Sequence, residues 1–337
     1  MPNALRISLN DGALDDAAMS AITELVVVQD ARGLASVELT ADAWDEDARG
    51  WRLIDSVREG DAIAVVVDDR TVFAGVVTAL DLDLGSNDDP QVRVRGYDHR
   101  VKLARARKTV LHRNLTDGEL LRRLGQAAGV AVDVASTTEV HTALLQAEQT
   151  DLEFLDQRAA ALGFDVLAHS GTLVIGPPAF DARPVAALTA ADLLDFRGTL
   201  SIRDLCDTLK LRAWDVAQKQ VALGEAAAPE LRGLVSGPAR ARRAFGAAVD
   251  QRGDAWTTDV QAGLEARAKA DMLRAALEHC AAEALVAGDP ALAAGASVDL
   301  QGLGARFSGP YYIQAAEHRW RGDESYRTQL TLRRYAS

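Results

Sequence analysis

Alternation of apolar and polar residues dominates the first hundred positions of the chain. The segments "LVVVQD", "ASVELTA", "DAIAVVVDD" and "TVFAGVVTALDLDL" are rich in valine and are separated by turn residues. The segment "QVRVRGYD" alternates valine with arginine, which is typical of a strand with one face in water. The pattern predicts an antiparallel barrel or sandwich between Thr23 and Asp98.

The hydrophobic period changes between Leu115 and Gly176, where two helical patterns are each followed by a short apolar strand. In "TDGELLRRLGQAAGVAVDV", Thr116 and Glu119 have the spacing of a capping box, and Gly129 supplies a helix end. The apolar stripe of this helix is Leu120, Leu124 and Ala127 or Ala128. We expect a small α/β segment that ends at "GPPAF", since two prolines continue neither a helix nor a strand ladder.

The second helical pattern, "QTDLEFLDQRAAALGF", raises the question of a carboxylate active site, because Asp151, Glu153, Asp156 and Asp165 lie close together in sequence. Thr150 and Glu153 again have capping-box spacing, and acids are stabilising in the first turn of a helix. Leu152, Leu155, Ala159 and Leu162 form the apolar stripe, and Gly163 ends the helix. We therefore predict that these acids begin a helix and are not catalytic.

Strand patterns resume at "LSIRDLCDTLKLRAWD" and again from "ASVDLQGLG" to "YRTQLTLRRY". The stretch between them, Leu223 to Gly295, is rich in alanine, glycine and arginine and predicts one long helix around Thr258 to Ala287. The predicted fold is α+β and mainly β, with two antiparallel barrel-like domains, an inserted small α/β domain and a helical insertion in the second barrel. The predicted domains are 1–104 (first β-barrel), 105–180 (small α/β), 181–222 with 293–337 (second β-barrel), and 223–292 (helical insertion).

One internal similarity suggests a duplicated β domain. "RVRGYDHRVK" and "KLRAWDVAQK" share a base, an aliphatic residue, arginine, a small residue, an aromatic residue, aspartate, three spacers and lysine. The match predicts that Asp98 and Asp215 occupy equivalent positions in their domains. It also suggests that the strand edges around both segments are contact sites between chains, because an unpaired edge is a template for another chain.

Composition narrows the class of protein. The chain has 337 residues, 48% of them hydrophobic and 26% charged, and a formal net charge of -12. This balance indicates a globular protein and argues against specific nucleic-acid binding, although "HRVKLARARK" and "RARR" are local basic clusters. We expect no secretory signal and no direct membrane anchor, and Cys206 and Cys280 are too few for a disulfide framework, so synthesis in a reducing cytoplasm is expected.

Motifs of known chemistry are scarce. The histidines show no HExxH pattern and no metal-ligand spacing with cysteine; they are His99, His112, His141, His169, His279 and His318. "GLGARFSG" is followed by a strand pattern, so we interpret it as a strand connection, not a phosphate loop. No catalytic, cofactor-binding or metal-binding residues are predicted, and we expect that the chain is not an enzyme.

Several of these segments together resemble the baseplate hub proteins of contractile phage tails and injection systems, namely phage late control protein D and the N-terminal hub part of VgrG spike proteins. The resemblance rests on "RGYD", on a run from His141 through Gln146 to "DLEFL", and on the closing Gly163-Phe164. The C-terminal "GLGARFSGPYYIQAAEHRWRGDESYRTQLTLRR" is similar to the last barrel segment of such hubs, through Gly309, Tyr312, His318, Tyr326 and Thr328.

The resemblance implies a homotrimeric structural adaptor that joins the hexameric inner tube to the trimeric spike. The implied partners are the inner tube protein, the spike protein and other baseplate proteins, without cofactors. The implied location is the cytoplasm of the producing bacterium during assembly, and then the tail or injection particle. VgrG proteins continue into further domains, so either the spike is a separate polypeptide or this sequence covers only the hub portion.

Two alternatives from other classes remain at this stage: a cell-wall-degrading enzyme associated with the tail tip, and a monomeric binding module. The enzyme requires a clustered acid pair or triad, and the binding module requires an aromatic-lined groove. Aromatic residues make up only 5% of the chain. We also expect 223–295 to lie outside the ring, with Arg240, Arg242 and Arg243 away from a central lumen.

Overall fold

The computed structural model describes most of the chain. The described residues are 4–10, 12–45, 49–85, 89–180, 182–215, 218–227, 237–253, 261–322 and 324–335. They are mainly β, with 52% strand and 21% helix. The prediction of a mainly β, α+β protein is confirmed.

Strands in the first half of the chain are β1 Leu5–Leu9, β2 Gly12–Ala13, β3 Ile22–Asp30, β4 Ser36–Asp42, β5 Trp44–Asp45, β6 Gly50–Trp51, β7 Ala62–Val67, β8 Arg70–Asp83, β9 Gln91–Asp98, β10 Lys108–Thr116, β11 Ala131–Val134, β12 Val140–Gln149, β13 Asp165–His169 and β14 Thr172–Gly176. Those in the second half are β15 Ala186–Thr189, β16 Leu193–Leu200, β17 Thr208–Asp215, β18 Gln220–Ala227, β19 Val249–Gly253, β20 Cys280–Ala287, β21 Ser297–Gln301, β22 Gly309–Arg321 and β23 Glu324–Arg334. Helices are α1 Asp16–Ala21, a 3-10 helix His99–Ala104, α2 Asp117–Ala127, α3 Asp151–Leu162, α4 Gly237–Phe245, α5 Gln261–Leu277 and α6 Gly304–Phe307.

The two strand-rich parts of the chain join in one sheet. Thirteen strands are hydrogen-bonded, along the path β16-β20-β23-β22-β3-β4-β9-β8-β7-β1-β2, with β21 beside β22 and β15 beside β21. The junction is the antiparallel pair of β3 and β22, in register from Asp30 opposite Ala315 to Glu24 opposite Arg321. Within the described ranges no closed barrel is found, and the predicted arrangement of two antiparallel barrel-like domains is not confirmed.

In the first strand block, β1 to β9 (residues 5–98), the strands β3, β4, β7, β8 and β9 form where the valine-rich segments predict them. Buried and exposed residues alternate along β9, and β3, β4 and β7 bury alternate residues over part of their length. The buried side chains pack into one cluster that includes Leu25, Val37, Ile63 and Val92. This burial of alternate residues is the reason that the local pattern was sufficient to predict the strands.

The small α/β unit contains the two predicted capped helices. Thr116 and Glu119 form a reciprocal capping box at α2, and Thr150 and Glu153 form another at α3. Gly163 ends α3 in the left-handed conformation, with a φ of 72°. The buried stripe of α3 differs from the prediction, because Phe154 joins Leu155 and Ala159 in the core while Leu152 and Leu162 stay partly exposed.

The long helix predicted around Thr258 to Ala287 is wrong in its C-terminal part. Helix α5 ends at Leu277, and Cys280–Ala287 forms β20, which lies between β16 and β23 in the large sheet. Its buried residues Cys280, Ala282, Ala284 and Val286 alternate with more exposed ones. The strand escaped prediction because alanine on both faces hides a period of two behind a helix-favouring composition.

A three-stranded sheet of β18, β17 and β19 stands apart from the large sheet. Strand β17 pairs with β18 antiparallel and with β19 parallel, and its inner face packs on α5 through a core that includes Leu211, Leu264, Ala268 and Met272. Residues 223–292, predicted as a helical insertion, therefore hold helices α4 and α5 together with strands. "GLGARFSG" connects β21 to β22 and includes the short helix α6.

The two copies of the internal repeat are alike locally and differ in their surroundings. Each ends its strand with an exposed aromatic residue, Tyr97 or Trp214, followed by a buried aspartate, Asp98 or Asp215. However, β9 lies between β4 and β8, and β17 lies between β18 and β19. The expectation of a free strand edge is wrong for "RVRGYD", because β4 and β8 pair along β9 on both sides. In "KLRAWD", β18 pairs along the whole segment, whereas β19 pairs only as far as Arg212.

Candidate interaction surfaces

The acids that raised the question of an active site are held by separate partners. The Glu153 carboxylate accepts a hydrogen bond from the Thr150 backbone N–H (2.9 Å) and forms an ion pair with Arg107. Asp151 contacts the Lys108 ammonium at 2.8 Å. Burial raises the pKa of Asp156 to about 6 and also raises that of Asp165, whose carboxylate accepts the Tyr312 hydroxyl. The arrangement is that of helix capping and packing.

A buried ion pair fixes the small α/β unit to the first strand block. Asp98 accepts the backbone N–H groups of Ala35 (2.6 Å) and Arg100 (2.8 Å), and its Oδ2 lies 2.7 Å from Arg100 Nη2. Arg100 Nη1 then donates to the carbonyl of Val166 on β13 at 3.0 Å. Because both side chains are almost fully buried, the pair is a strong geometric constraint on how the two parts meet.

A second buried charged cluster lies inside the small α/β unit. Asp117 receives Arg158 Nε at 2.6 Å on one oxygen and lies 2.8 Å from His141 Nε2 on the other. Burial disfavours its charge, yet hydrogen bonds from His141 and Arg158 keep the pKa of Asp117 below its ordinary value. The cluster ties α2, β12 and α3 together, and His141, singled out by the sequence resemblance, has this structural position.

No metal site is found in the part of the chain that the structure describes, where no three histidine, cysteine, aspartate or glutamate side chains are grouped to hold an ion. Likewise, none of the helices described is long and apolar enough to cross a membrane. His279 Nδ1 donates a hydrogen bond to the Ser201 carbonyl oxygen at 2.7 Å, and Cys280 Sγ lies 3.4 Å from the Tyr311 hydroxyl.

A cavity of about 590 Å³ lies where the first strand block, the β13–β14 hairpin and residues 290–296 meet. Its lining includes Asp30, Arg70 and His169. Gln29 spans its edge, because Nε2 donates to the Val72 carbonyl (2.7 Å) and Oε1 accepts from the Ala294 N–H (3.1 Å). The cavity is therefore a gap where three parts of the chain pack against one another.

A polar face continues across both strand blocks. Eight neighbouring strands, from β16 to β8, present it, which at about 4.8 Å per strand gives a width of roughly 34 Å. Bases and acids alternate on it and form ion pairs, namely Arg93 with Glu38 (3.3 Å), Arg95 with Asp81 (2.7 Å), Arg319 with Glu317 (2.8 Å) and Arg321 with Glu24 (3.3 Å). The face carries mixed charge without a dominant sign.

Exposed apolar side chains mark three other places. One is the end of β8, with Leu82 and the following Leu84; a second is the two-stranded sheet of β10 and β12, with Leu111 and Leu145; the third is the outer face of β17 and β18, with Trp214, Val221 and Leu223. The sequence predicted strands β8 and β17 but not β10, β12 or β18, and it predicted none of these surfaces. The alternation "LDLDL" was the available signal, since it continues past the point where the neighbouring strand β7 ends.

Helix α4 carries the basic cluster "RARR", and Arg240, Arg242 and Arg243 are exposed there. Arg242 Nε lies 3.8 Å from Asp207. The placement of these arginines outside a lumen remains a prediction.

The family model described as the Alg8 N-terminal domain matches residues 63–321 of the chain. The chain belongs to the Alg8 N-terminal domain family. The description of that family names a domain and no reaction. No curated protein matches this Alg8 N-terminal domain chain significantly.

Solved structures that share the fold are phage tail proteins and type VI secretion proteins. This Alg8 N-terminal domain chain is similar to the 43 kDa tail protein of prophage MuSo2 from Shewanella oneidensis, with a TM-score of 0.74, 14% identity and 98% of each chain covered. It is similar to a tail protein from Neisseria meningitidis, with a TM-score of 0.73, 13% identity, and coverage of 99% of this chain and 97% of the other.

An Escherichia coli component of the type VI secretion system also has this fold. The TM-score is 0.58 at 14% identity, over 94% of this chain and 74% of that one. Its description states structural similarity to tail proteins of bacteriophage T4. At these identities the likeness is one of fold, shared over nearly the whole of the present chain.

Proposed function

We propose that this chain is a structural, non-enzymatic subunit of the baseplate of a contractile tail or injection machine. The observation that carries the proposal is the fold match with the Shewanella prophage tail protein over 98% of both chains. A match to a single domain would be compatible with many functions, because folds are reused. A match of the complete multi-part arrangement is a stronger reason to infer the same kind of role.

The specific role that we propose is a homotrimeric hub, which joins the hexameric inner tube to the trimeric spike. Three chains that each contain two strand blocks present six blocks around an axis. The junction of β3 with β22 supports this idea, since it holds the two blocks of one chain at a fixed offset in one sheet. We propose that the mixed-charge face from β16 to β8 lines the central passage, because a face without a dominant sign binds neither polyanions nor polycations strongly.

Within this proposal the functional units are those predicted from the sequence: a first β domain in 1–104, a small α/β domain in 105–180, and a second β domain in 181–222 and 293–337. The segment 223–292 decorates the second β domain. The proposed partners are a tube protein at one end, a spike protein at the other and further baseplate proteins around the ring.

Two measurements test the proposal. Light scattering coupled to gel filtration of the purified chain should give three times the chain mass of 36.0 kDa. A reconstruction of the particle from producing cells, calculated without imposed symmetry, should show three copies per baseplate. Six copies or one would contradict the adaptor role, even with the fold unchanged.

The enzymatic alternative is tested separately by incubation of the purified trimer with peptidoglycan in a gel-overlay assay. We expect no clearing. The partners of Asp117, Asp98 and Glu153 support this expectation, since each carboxylate is already engaged by cations or backbone N–H groups. Lytic activity in the purified protein would support the enzyme instead.

A further inference from the structure

A polar layer separates the hydrophobic core of the first strand block from that of the second strand block (β15, β16 and β20 to β23). On the inward side of β22, Ala316 belongs to the core of the second block, whereas Trp320 packs against the core of the first. His318 lies between them on the same side of the strand. The residue directly opposite it on β23 is Thr328, and both are fully buried. The two cores therefore meet across polar side chains.

The His318 ring is held in this layer by hydroxyl groups. Its Nδ1 lies 2.7 Å from the Tyr326 hydroxyl and 3.2 Å from Thr328 Oγ1, and the ring stacks beside Trp320 with centroids 6.2 Å apart. Its Nε2 is buried and has no hydrogen-bond partner among the described residues. A neutral imidazole fits this environment, because Nδ1 can accept from a hydroxyl. An imidazolium has a proton on each nitrogen and would find oxygen acceptors at Nδ1 alone.

Charged groups around the layer do not compensate a positive charge on the ring. The acids that face it are Asp289, after β20, and Asp68, in the turn between β7 and β8, and both act on Tyr326. Each of these carboxylates accepts a backbone N–H. The inward residues of β3 are uncharged, and Glu317 and Arg319 lie on the other side of β22. Within the described ranges, no acid forms an ion pair with the ring.

We propose that the junction of β3 with β22 is an acid-sensitive latch: when the two strands part, His318 reaches water and takes up a proton, which holds the junction open. His318 lies directly opposite Val27 in this junction, so separation of the strands uncovers it. Return of the charged ring between the two cores is unfavourable, because burial without a counter-charge penalises the charged form. The latch is a property of the single chain and is independent of the proposed trimer.

The direction of the pH effect follows from the burial of the ring. Burial lowers the pKa of His318 from 6.5 to about 4. Because this pKa is lower in the folded state than in the open state, the closed junction has its full stability above pH 6.5 and loses it as pH falls from 6.5 towards 4. Between pH 7.5 and pH 5.5, we expect the fraction of open junctions to increase by about tenfold.

Hydrogen exchange of backbone amides, measured by mass spectrometry at pH 7.5 and pH 5.5, tests the latch. After correction for the intrinsic pH dependence of exchange, protection in β3 and β22 should fall by about tenfold, while β8 and β9, which pair inside the first block, keep theirs. His318→Asn retains a polar group near Nδ1 but does not ionise, so it should remove this pH dependence. His169→Asn makes the same change at an exposed histidine and should behave like the unaltered chain.

Each possible result decides the proposal. Equal protection of β3 and β22 at both pH values in the unaltered chain overturns it, and this result needs no variant. An equal loss of protection in His318→Asn also overturns it, because another group would then be responsible. A loss of the same size in β8 and β9 would indicate destabilisation of the whole chain instead of opening at the junction. If circular dichroism shows that His318→Asn does not fold, His318→Gln, which also cannot ionise, replaces it.

Discussion

Asp156 is the side chain at which we expect ionisation to work against folding. It lies on α3 and is half-buried, and burial raises its pKa to about 6 from an ordinary value of 3.8, against the attraction of Arg100 and with the repulsion of Asp98. When a carboxyl whose pKa is higher in the folded state than in the unfolded state ionises, the free energy of unfolding decreases. The penalty is absent at low pH, begins as pH rises past the unfolded pKa near 4, and is complete above about 6.

The magnitude follows from the size of the shift. About two pKa units at 1.36 kcal/mol each give an upper limit of roughly 3 kcal/mol at pH 8. Because water still reaches part of the carboxyl, we expect about 2 kcal/mol. Asp156→Asn removes the charge with little change of shape, so it should stabilise the protein by about that amount at pH 8, and by about 0.5 kcal/mol at pH 4.

Urea unfolding followed by circular dichroism at pH 8 and pH 4 measures the difference. Values near pH 5 should be avoided, because the sequence pI is about 5.0 and a protein without net charge associates. Asp133→Asn, on the exposed face of β11, is the matched control and should change little at either pH. A gain for Asp156→Asn that is equal at both pH values would refute the ionisation argument and indicate a change in packing or hydrogen bonding.

Three further substitutions test individual contacts by the free energy of unfolding. Glu153→Ala removes a helix cap and an exposed ion pair with Arg107, which contributes little, so it should cost about 1 kcal/mol and leave assembly intact; loss of particle function with an unchanged fold would contradict this. Arg100→Met leaves the buried Asp98 without its cation and should cost about 3 kcal/mol, whereas a neutral result would show that backbone N–H groups suffice for the carboxylate. Gly125→Ala would place a Cβ 2.1 Å from Val132 Cγ2, so it should cost about 1–3 kcal/mol; stabilisation, as helix propensity alone predicts, would show that β11 can move.

Local features of this fold were predictable from sequence, and pairings between distant segments were not. The capping boxes at Thr116 and Thr150 depend on residues three positions apart, and both are confirmed. The valine alternation likewise predicts strands by itself. Alanine carries no such signal, so the sequence of β20 predicts the end of a helix where the structure has a strand. The sequence also does not predict which strands have free edges. The neighbours of β17 are β18 and β19, which lie largely in the segment predicted as a helical insertion.

The candidate surfaces show the same division. "LDLDL" predicts a strand with one acidic and one apolar side. It does not predict that β7 ends before β8 does, which leaves the last residues of β8 without a described strand on one edge. The basic run before β10 is visible in the sequence, whereas its position on a two-stranded ribbon with exposed leucines depends on the fold. Function class could be proposed from a family resemblance, and the contact residues required the tertiary structure.

The pairing of β3 with β22 has a consequence for synthesis. Asp30 and Ala315 lie opposite each other in this pair of strands and are separated by 285 positions (315 minus 30). At about 5–20 residues per second, the ribosome needs roughly 15 to 60 s to make the partner of a strand that is among the first to emerge. Throughout that interval one edge of β3 is unfilled, and contacts of such long range also slow folding itself. The nascent chain is therefore most exposed to aggregation before β22 appears, and a stop codon before β22 would leave β3, the end strand of the first block, with a permanently open edge.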